Sequence, residues 1–208
     1  MDVRLKHPSI YLLVGATSSG KTSWIEKLIL NCQFIITPPP ENIVFCYAEE
    51  QPIYEKLKLT SPVPIKFHYG LSEELYNNIS PNTLLLVDDL LQTTSRDLLL
   101  EITHRGSHHR LISLVLVAHN LFDKQLRAIS LQVQYLILMK TVRDFKQIQF
   151  LGQQLGIGKN LLKIYKAATR EPFSYLFLDL RPETDNILRF RSNIFEDPSI
   201  LFVENEAL

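Results

Sequence analysis

The stretch SIYLLVGATSSGKTSWIEKL, residues 9–28, determines the fold that we expect for this chain. Five apolar residues at 10–14 predict a buried strand, and the residues after Thr22 have the pattern of a helix. Between them, Gly15, Gly20, Lys21 and Thr22 match G-x-x-x-x-G-K-[ST], the phosphate-binding loop of nucleotide-binding proteins. The strand before the motif and the helix after it are the context that this loop requires, so the sequence predicts a phosphate site.

The loop predicts ligands for ATP and for a magnesium ion. A Cβ at Gly15 or Gly20 would obstruct backbone N–H groups that must converge on phosphate oxygens. We expect Lys21 to reach the β- and γ-phosphates and the Thr22 hydroxyl to hold Mg²⁺, while the helix that follows adds its positive dipole end. The predicted nucleotide-binding residues are Gly15, Ala16, Thr17, Ser18, Ser19, Gly20, Lys21, Thr22 and Ser23.

The composition is that of a globular protein. The 208 residues are 46% hydrophobic and 21% charged, which suits one domain over residues 1–208, with 196–208 as a candidate tail. The formal net charge is zero, so any basic surface must be local. Cys32 and Cys46 lack metal-ligand spacing and are expected to be reduced core thiols. With no signal sequence and no apolar run of about 18 residues, we expect a soluble intracellular protein that needs no membrane.

Apolar runs alternate with helical patterns along the chain. The runs at 83–87 and 112–118 are almost wholly apolar, as expected for parallel strands buried on both faces. The alternation predicts an α/β fold, a mostly parallel central sheet with helices on both faces, and the segment 174–194 resembles a terminal hairpin. The predicted strands are 10–14, 43–47, 65–69, 83–87, 112–118, 135–139 and 175–180.

Three helices have identifiable ends in the sequence. TSRD at 94–97 resembles a capping box that begins a helix ending near Gly106. Residues 143–155 carry an apolar face, and Gly156 is placed to end that helix. A further helix is predicted over 159–168.

Two acidic residues follow a predicted strand in the sequence NTLLLVDDLLQ, residues 82–92. Ligands of open α/β sheets bind at the carboxyl ends of strands, which places Asp88 beside the magnesium ion held by Thr22. Asp89 could then orient or deprotonate an attacking water. The alternative is a polar strand end at which Asp89 only caps the next turn. A second carboxylate favours a hydrolase, because a small-molecule kinase takes its nucleophile from the substrate.

His119 and Asn120 follow another apolar strand, in the sequence LISLVLVAHN at 111–120. The rule for strand ends places both side chains toward the γ-phosphate, where a polar group can sense whether that phosphate is present. The alternative is a hydrogen-bonded pair at the strand end without a catalytic role.

Other classes of P-loop protein require elements that this sequence lacks. There is no N-K-x-D element for guanine and no L-S-G-G-Q signature, and Arg143 alone stands where a nucleotide kinase carries an arginine-rich lid. The interval between Lys21 and Asp88 has room for two strands. That spacing fits ATPases in which the acidic strand is separated from the phosphate-loop strand, the arrangement of ring motors.

The chain resembles the FtsK/HerA-type genome-packaging ATPases of double-stranded DNA viruses, most closely those of Polinton-like, adintovirus and adenovirus-related elements. The likeness spans roughly residues 9–182 and rests on GATSSGKT, LLLVDDLL, THRGSHHRLISLVLVAHNLF, LRAISLQVQYLILMKTVRDFKQIQFLGQQLG and YLFLDLRPETD in that order. The succession SHH…HNLF…RD is more specific than the phosphate-site motifs. The resemblance implies a P-loop NTPase of the RecA/ASCE type, with Asp88 and Asp89 as the acidic pair. The family's strand-end sensor is commonly Gln, so His119 or Asn120 would fill that role here.

The resemblance also implies partners. Its members work as homo-oligomeric rings, a pentamer or hexamer, around double-stranded DNA that they drive into a capsid without reading the sequence. The resemblance implies a location in the host cell, either the nucleus or the cytoplasm. It also implies association with the virion and with viral capsid proteins. The alternatives are a P-loop nucleotide kinase and a non-viral DNA-translocating ATPase of the same superfamily.

A ring ATPase completes its site with an arginine from the neighbouring subunit, and Arg127 and Arg143 are the candidates. Arg143 follows a strand end, whereas Arg127 ends a predicted short helix and could be presented across an interface. Arg105 and Arg110 precede a strand and belong to the opposite end of the sheet. Between 104 and 127, four Lys or Arg residues accompany one Asp. This local excess could hold DNA phosphates or form an ordinary solvated loop.

The segment after residue 195 is acidic around an apolar core. Its charged residues are Glu196, Asp197, Glu204 and Glu206. The apolar ILFV at 200–203 could dock on a capsid protein or on a neighbouring subunit, or it could add an edge strand.

Overall fold

The computed structural model describes residues 2–106, 110–196 and 198–203, and in these residues nine strands form one sheet. The strands are β1 (Leu5–Lys6), β2 (Ile10–Val14), β3 (Ile36–Thr37), β4 (Asn42–Tyr47), β5 (Ile65–Tyr69), β6 (Thr83–Asp88), β7 (Ile112–Ala118), β8 (Tyr135–Met139), β9 (Tyr175–Asp179), β10 (Phe190–Ser192) and β11 (Ile200–Leu201). The sheet order is β11-β10-β9-β8-β2-β7-β6-β4-β5, and β1 pairs with β3 apart from it. The six strands from β5 to β8 in this order are parallel, and β9, β10 and β11 continue the sheet antiparallel.

Helices cover both faces of the sheet, as the alternating sequence pattern predicts. They are α1 (Lys21–Ile35), α2 (Ile53–Thr60), α3 (Glu73–Asn77), α4 (Arg96–Glu101), α5 (Phe145–Gln154) and α6 (Asn160–Ala168), and a π-helix (Ile102–Gly106) extends α4. Alternate residues of β2 point to opposite faces, so Leu12 and Leu13 enter different hydrophobic clusters. The Leu13 cluster includes α1 and α2, and the Leu12 cluster includes α3 to α6. The predicted α/β fold with a mostly parallel sheet is therefore confirmed.

The order of the strands places the acidic strand two positions from the phosphate-loop strand. β7 lies between β2 and β6 and pairs in parallel with both. The prediction that β2 and β6 are separated is correct. The two strands that the sequence places between them along the chain, β4 and β5, lie beyond β6 at the sheet edge. The carboxyl ends of β2, β7 and β6 consequently meet at one edge of the sheet.

The C-terminal part of the chain extends the sheet. β9 and β10 pair antiparallel, with Phe190 opposite Leu178, which confirms the predicted terminal hairpin. β11 pairs antiparallel with β10, so the 200–203 segment does add an edge strand. Three acidic residues of this tail, Asp197, Glu204 and Glu206, lie outside the described residues. The SHH sequence at 107–109 also lies outside them.

Two helix starts differ from the predicted ones. The side chain of Ser95 caps α4 by accepting from the N–H of Leu98. Leu98 is the third residue of the helix, and its side chain cannot return a hydrogen bond to the backbone of Ser95 as a capping box requires. α5 begins at Phe145 rather than at Arg143, because Asp144 before it has a left-handed backbone with φ of 64°. Gly156 ends α5 with φ of 78°, as predicted.

Candidate functional site

The phosphate loop, residues 15–22, is fixed at both ends by backbone hydrogen bonds. The N–H of Gly15 donates to the carbonyl of Ala118 at 3.1 Å, which ties the start of the loop to the end of β7. The N–H of Trp24 donates to the carbonyl of Gly20 at 2.9 Å and begins α1. The loop therefore leads from the end of β2 directly into the N-terminus of a helix, the arrangement that presents N–H groups to an anion.

The structure favours glycine at both motif positions, at Gly15 for lack of space and at Gly20 for its backbone conformation. A Cβ built on Gly15 would lie 2.4 Å from Ser19 Oγ and 2.6 Å from Met139 Cβ. Met139 Cβ belongs to the backbone-fixed part of β8, so this contact cannot be relieved by a rotamer change. Gly20 has φ of 103°, a backbone conformation that is unfavourable for residues with a Cβ.

The ammonium of Lys21 is buried against the loop that it belongs to. The residue is only 9% exposed, and Nζ donates to the carbonyl oxygens of Gly15 at 2.9 Å and Ala16 at 3.1 Å. Burial lowers the pKa of Lys21, while the charges of Asp89 and Asp88 oppose that shift. The ammonium thus has a fixed place beside two carboxylates.

His119 links this lysine to the acidic pair. Its Nδ1 lies 3.4 Å from Lys21 Nζ, and its Nε2 lies 2.9 Å from Asp89 Oδ1. An ammonium can only donate and an ionised carboxylate can only accept, so the contacts fit a neutral imidazole with its hydrogen on Nε2. The ends of β2, β7 and β6 are thereby joined by one chain of polar contacts.

The two acidic residues have different environments. Asp88 is 7% exposed at the end of β6, and burial raises its pKa to about 6, helped by the neighbouring charge of Asp89 and opposed by the charge of Lys21. The side chain of Asp89 is about half exposed, and its backbone is left-handed, with φ of 53°. Asp88 is therefore a buried carboxyl group with an unfavourable charge, which a bound cation would stabilise.

Replacing Asp88 with Asn should stabilise the protein. Because the pKa of Asp88 is higher in the folded chain than in the unfolded one, its ionisation opposes folding, and stability falls as the pH rises from about 4 to about 6. We expect Asp88→Asn to raise the free energy of unfolding at pH 7 by about 2 kcal/mol and to have little effect at pH 4. Urea unfolding at both pH values, without divalent cations, measures this.

The control is Asp97→Asn, which removes an exposed carboxylate from the first turn of α4. It should give no gain in stability at pH 7. A loss of stability in Asp88→Asn at pH 7 would contradict the account of Asp88 as a destabilising buried charge.

The loop, His119 and the acidic pair line one cleft of about 480 Å³. Sequence reasoning identified most of its lining but missed two residues, Gln51 after β4 and Phe173 before β9. Thr22 and Asp88, the predicted Mg²⁺ ligands, both belong to this cleft, and their oxygens are the ligand type that Mg²⁺ prefers. The full lining is Thr17, Ser18, Gly20, Lys21, Thr22, Ser23, Gln51, Asp88, Asp89, His119 and Phe173.

A second cavity, of about 280 Å³, adjoins the first half of the loop. Gly15, Ala16 and Thr17 line it together with His119 and the exposed Arg143. Arg143 therefore lies beside the phosphate loop of its own chain.

Asn120 does not line either cavity, and its side chain is used locally. Its Oδ1 accepts from the N–H of Phe122 at 2.9 Å and closes a turn after β7. Of the two candidate sensors, His119 is the one that contacts the lysine and the acidic pair. Whether that contact senses a phosphate stays a prediction.

The remaining arginine candidates lie away from the cleft. Arg127 is exposed in the connection between β7 and β8, in a series of turns instead of the predicted short helix. Arg110 donates to the carbonyls of Tyr76 and Ile79 at 2.8 and 2.7 Å, so it holds the end of α3. The exposed Arg105 lies 3.5 Å from Glu101. The basic residues between 104 and 127 thus lie at both ends of β7 and do not form one surface.

Solved structures share this fold. The DNA-packaging ATPase B204 from Sulfolobus Turreted Icosahedral Virus matches with a TM-score of 0.58 and 12% identity, over 86% of this chain and 96% of that chain. The genome packaging NTPase B204 from Sulfolobus turreted icosahedral virus 2, in complex with AMPPCP, matches with a TM-score of 0.56 and 14% identity, over 85% of this chain and 95% of that chain. The cytoplasmic domain of the Thermomonospora curvata Type VII secretion ATPase EccC matches with a TM-score of 0.57 and 14% identity, over 92% of this chain and 26% of that chain. No protein-family model matches the sequence, and no curated protein does.

At these identities the comparisons establish the fold alone, which is the predicted α/β fold. Two further observations bear on other predictions. No helix in the described part of the chain is long and apolar enough to cross a membrane. In the same residues, no group of three or more His, Cys, Asp or Glu side chains that could hold a metal ion is found. That Thr22 and Asp88 hold Mg²⁺ stays a prediction.

Proposed function

We propose that this chain is an ATP-driven motor that moves double-stranded DNA into a viral capsid. The observation that carries the proposal is the contact chain from Lys21 through His119 to Asp89, which joins the phosphate loop to a half-exposed carboxylate. Two of the structural neighbours are DNA-packaging or genome-packaging enzymes, and that likeness in fold supports the choice among ATPases.

The residues fit Mg²⁺ and ATP because the cleft combines a buried ammonium with a buried carboxyl group. Lys21 and the N–H groups of the loop would hold the phosphates, and Thr22 and Asp88 would hold the metal. When bound, Mg²⁺ neutralises charge on the phosphate oxygens. The Asp88 carboxyl group, whose pKa is raised to about 6 by burial, would be fully ionised beside a bound cation.

Asp89 is the residue placed to act on water. Its carboxylate is about half exposed in the cleft, and one oxygen is oriented by His119 Nε2 at 2.9 Å. Since His119 also contacts Lys21, movement of the lysine toward a phosphate would release Nδ1 and change how Asp89 is held. This coupling is a route by which the chain's own residues distinguish the nucleotide before and after hydrolysis.

A half-exposed carboxylate in this position favours hydrolysis over phosphotransfer to a small molecule. A kinase needs a site for its second substrate and groups that exclude water from it. Among the described residues, the single arginine beside the phosphate loop is Arg143, and it is exposed. The alternative is a nucleotide kinase, which an experiment must distinguish from a DNA-translocating ATPase.

The proposed partners are a homo-oligomeric ring of this chain, double-stranded DNA bound through its phosphates, and capsid proteins. Arg127 and Lys124 are exposed on the connection after β7, whereas Arg110 is used within the fold. DNA contact by such side chains would not depend on base sequence.

ATP hydrolysis by the purified protein should increase when double-stranded DNA of any sequence is added. DNA affinity should fall steeply with salt, because each neutralised phosphate releases condensed counterions and contributes about 0.9 to the slope of log affinity against log salt. Steady-state ATPase assays with unrelated duplexes, and DNA binding between low and physiological salt, measure both effects.

The outcome that would contradict the proposal is hydrolysis that no duplex changes. Stimulation by a nucleoside monophosphate, with formation of the diphosphate, would instead support the kinase. A DNA-stimulated ATPase encoded away from genes for a capsid protein and a protease would support the non-viral motor.

A further inference from the structure

An exposed aromatic side chain stands beside the phosphate loop, in the segment that leads into β9. Phe173 is 67% exposed and lines the cleft with Gly20, Thr22 and Ser23. Its Cβ lies 3.2 Å from the position that a Cβ on Gly20 would take, so the ring begins at the end of the loop where α1 starts. Most of the surface of this side chain is therefore open to solvent.

The backbone holds Phe173 in this position. The residue has φ of 61°, a left-handed conformation that a bulky side chain seldom adopts. The segment around it is fastened at both ends, because Lys140 Nζ donates to the carbonyl of Arg170 at 2.6 Å and the Lys140 N–H donates to the carbonyl of Ser174 at 2.9 Å. A turn between Glu171 and Ser174 closes it. The ring is therefore presented by a fixed segment.

The order of the strands gives the cleft a direction. Asp88 ends β6 and Asp89 follows it, two strands to one side of β2. Phe173 precedes β9, two strands to the other side. β9 runs antiparallel to β8, so its first residue lies at the same sheet edge as the end of β8. The span from β6 to β9 is four strand spacings, about 19 Å, which an extended nucleoside triphosphate can cross.

We propose that Phe173 is the stacking platform for the nucleobase, an inference that rests on the proposed binding of a nucleotide. With the terminal phosphate between Lys21 and the acidic pair, the opposite end of the molecule points toward β8 and β9. A phenyl ring has no hydrogen-bonding atoms and every base has a π-face, so this contact adds affinity without selecting one base.

A different explanation is that Phe173 only packs against Gly20 and keeps the loop in shape. The two roles differ in their effect on a ligand without a base. A packing role would affect every phosphate ligand, whereas a stacking role affects only ligands that carry a base. Inorganic tripolyphosphate is the probe that separates them.

The experiment is calorimetric titration of the full chain with Mg²⁺ and either ATP or tripolyphosphate. Phe173→Ala and Phe173→Leu should weaken ATP binding about tenfold, within the range measured for base–aromatic stacking, and leave tripolyphosphate binding unchanged. Phe173→Trp, which keeps an aromatic face, should retain ATP binding. Phe34→Ala is the matched control, because Phe34 is 76% exposed near the far end of α1, about 20 Å along the helix.

Equal losses for ATP and tripolyphosphate in Phe173→Ala would overturn the stacking role and assign Phe173 to packing. Unchanged ATP binding in both Phe173→Ala and Phe173→Leu would also overturn it. If the unaltered protein bound neither ligand, the proposed nucleotide site itself would be wrong. That result differs from a protein that binds ATP without using Phe173.

Discussion

Asp89→Asn should lower the turnover number for ATP by about 10³-fold, within the range for removal of a general base, and leave the affinity for Mg·ATP nearly intact. The change keeps the size of the side chain and removes its charge and basicity. The amide can no longer accept a proton from water, although its oxygen can still accept from His119. Single-turnover hydrolysis and nucleotide titration measure the two quantities separately.

Asp88→Asn is the informative comparison, because the adjacent residue undergoes the same change. It should weaken Mg²⁺-dependent nucleotide binding, since it deletes a charge beside the metal, while it stabilises the unliganded fold. Equal loss of binding in the two variants would contradict the separate roles assigned to Asp88 and Asp89. Asp97→Asn, at an exposed position on α4, should change neither binding nor turnover.

The second large effect concerns the arginine that a neighbouring subunit supplies. Loss of such an arginine lowers turnover by about 10³–10⁵-fold with little effect on ATP binding. Arg127 is exposed and lines neither cavity of its own chain, whereas Arg143 lies beside its own phosphate loop. We therefore expect Arg127 to act across the interface and Arg143 to act within the chain.

Mixing two inactive variants distinguishes these roles. Lys21→Ala removes the phosphate-loop lysine and keeps the arginines, and Arg127→Ala does the reverse. Mixed rings contain interfaces at which an intact loop meets an intact Arg127, so part of the activity should return. Arg143→Ala mixed with Lys21→Ala should give no rescue, because each chain then has a defect in its own site.

Confirmed mixed assembly without rescue by either pair would argue against a site shared between subunits. Rescue with Arg143→Ala and not with Arg127→Ala would reverse the assignment. Either outcome is read from ATPase activity at several mixing ratios, with each variant alone as the baseline.

The central sheet could be predicted because its signals are long and repeated. The apolar runs that become β6 and β7 are buried on both faces, and their lengths match the observed strands within a residue or two. The short pair β1 and β3 was missed because two residues carry no periodicity. The helix expected at Arg127 is absent because the turn begun by Asp123 continues into further turns.

The site was predictable where a side chain directly follows a parallel strand. Asp88, Asp89 and His119 come together for this reason. The position after a strand could not decide between His119 and Asn120, because only the structure shows that His119 contacts Asp89 and that Asn120 accepts from the N–H of Phe122. Phe173 was missed because it precedes β9, and only the antiparallel direction of that strand brings it to the same edge. The pairing of a charged residue is also invisible in sequence, as the carbonyl contacts of Arg110 show.

The most direct test of the proposed motor is displacement of a third DNA strand. A triplex-forming oligonucleotide is bound at one end of a linear duplex, and its release is followed after ATP is added. We expect release that requires hydrolysis, occurs later on longer duplexes, and is absent with Lys21→Ala. DNA-stimulated hydrolysis without any release, or release of equal speed at every duplex length, would contradict translocation.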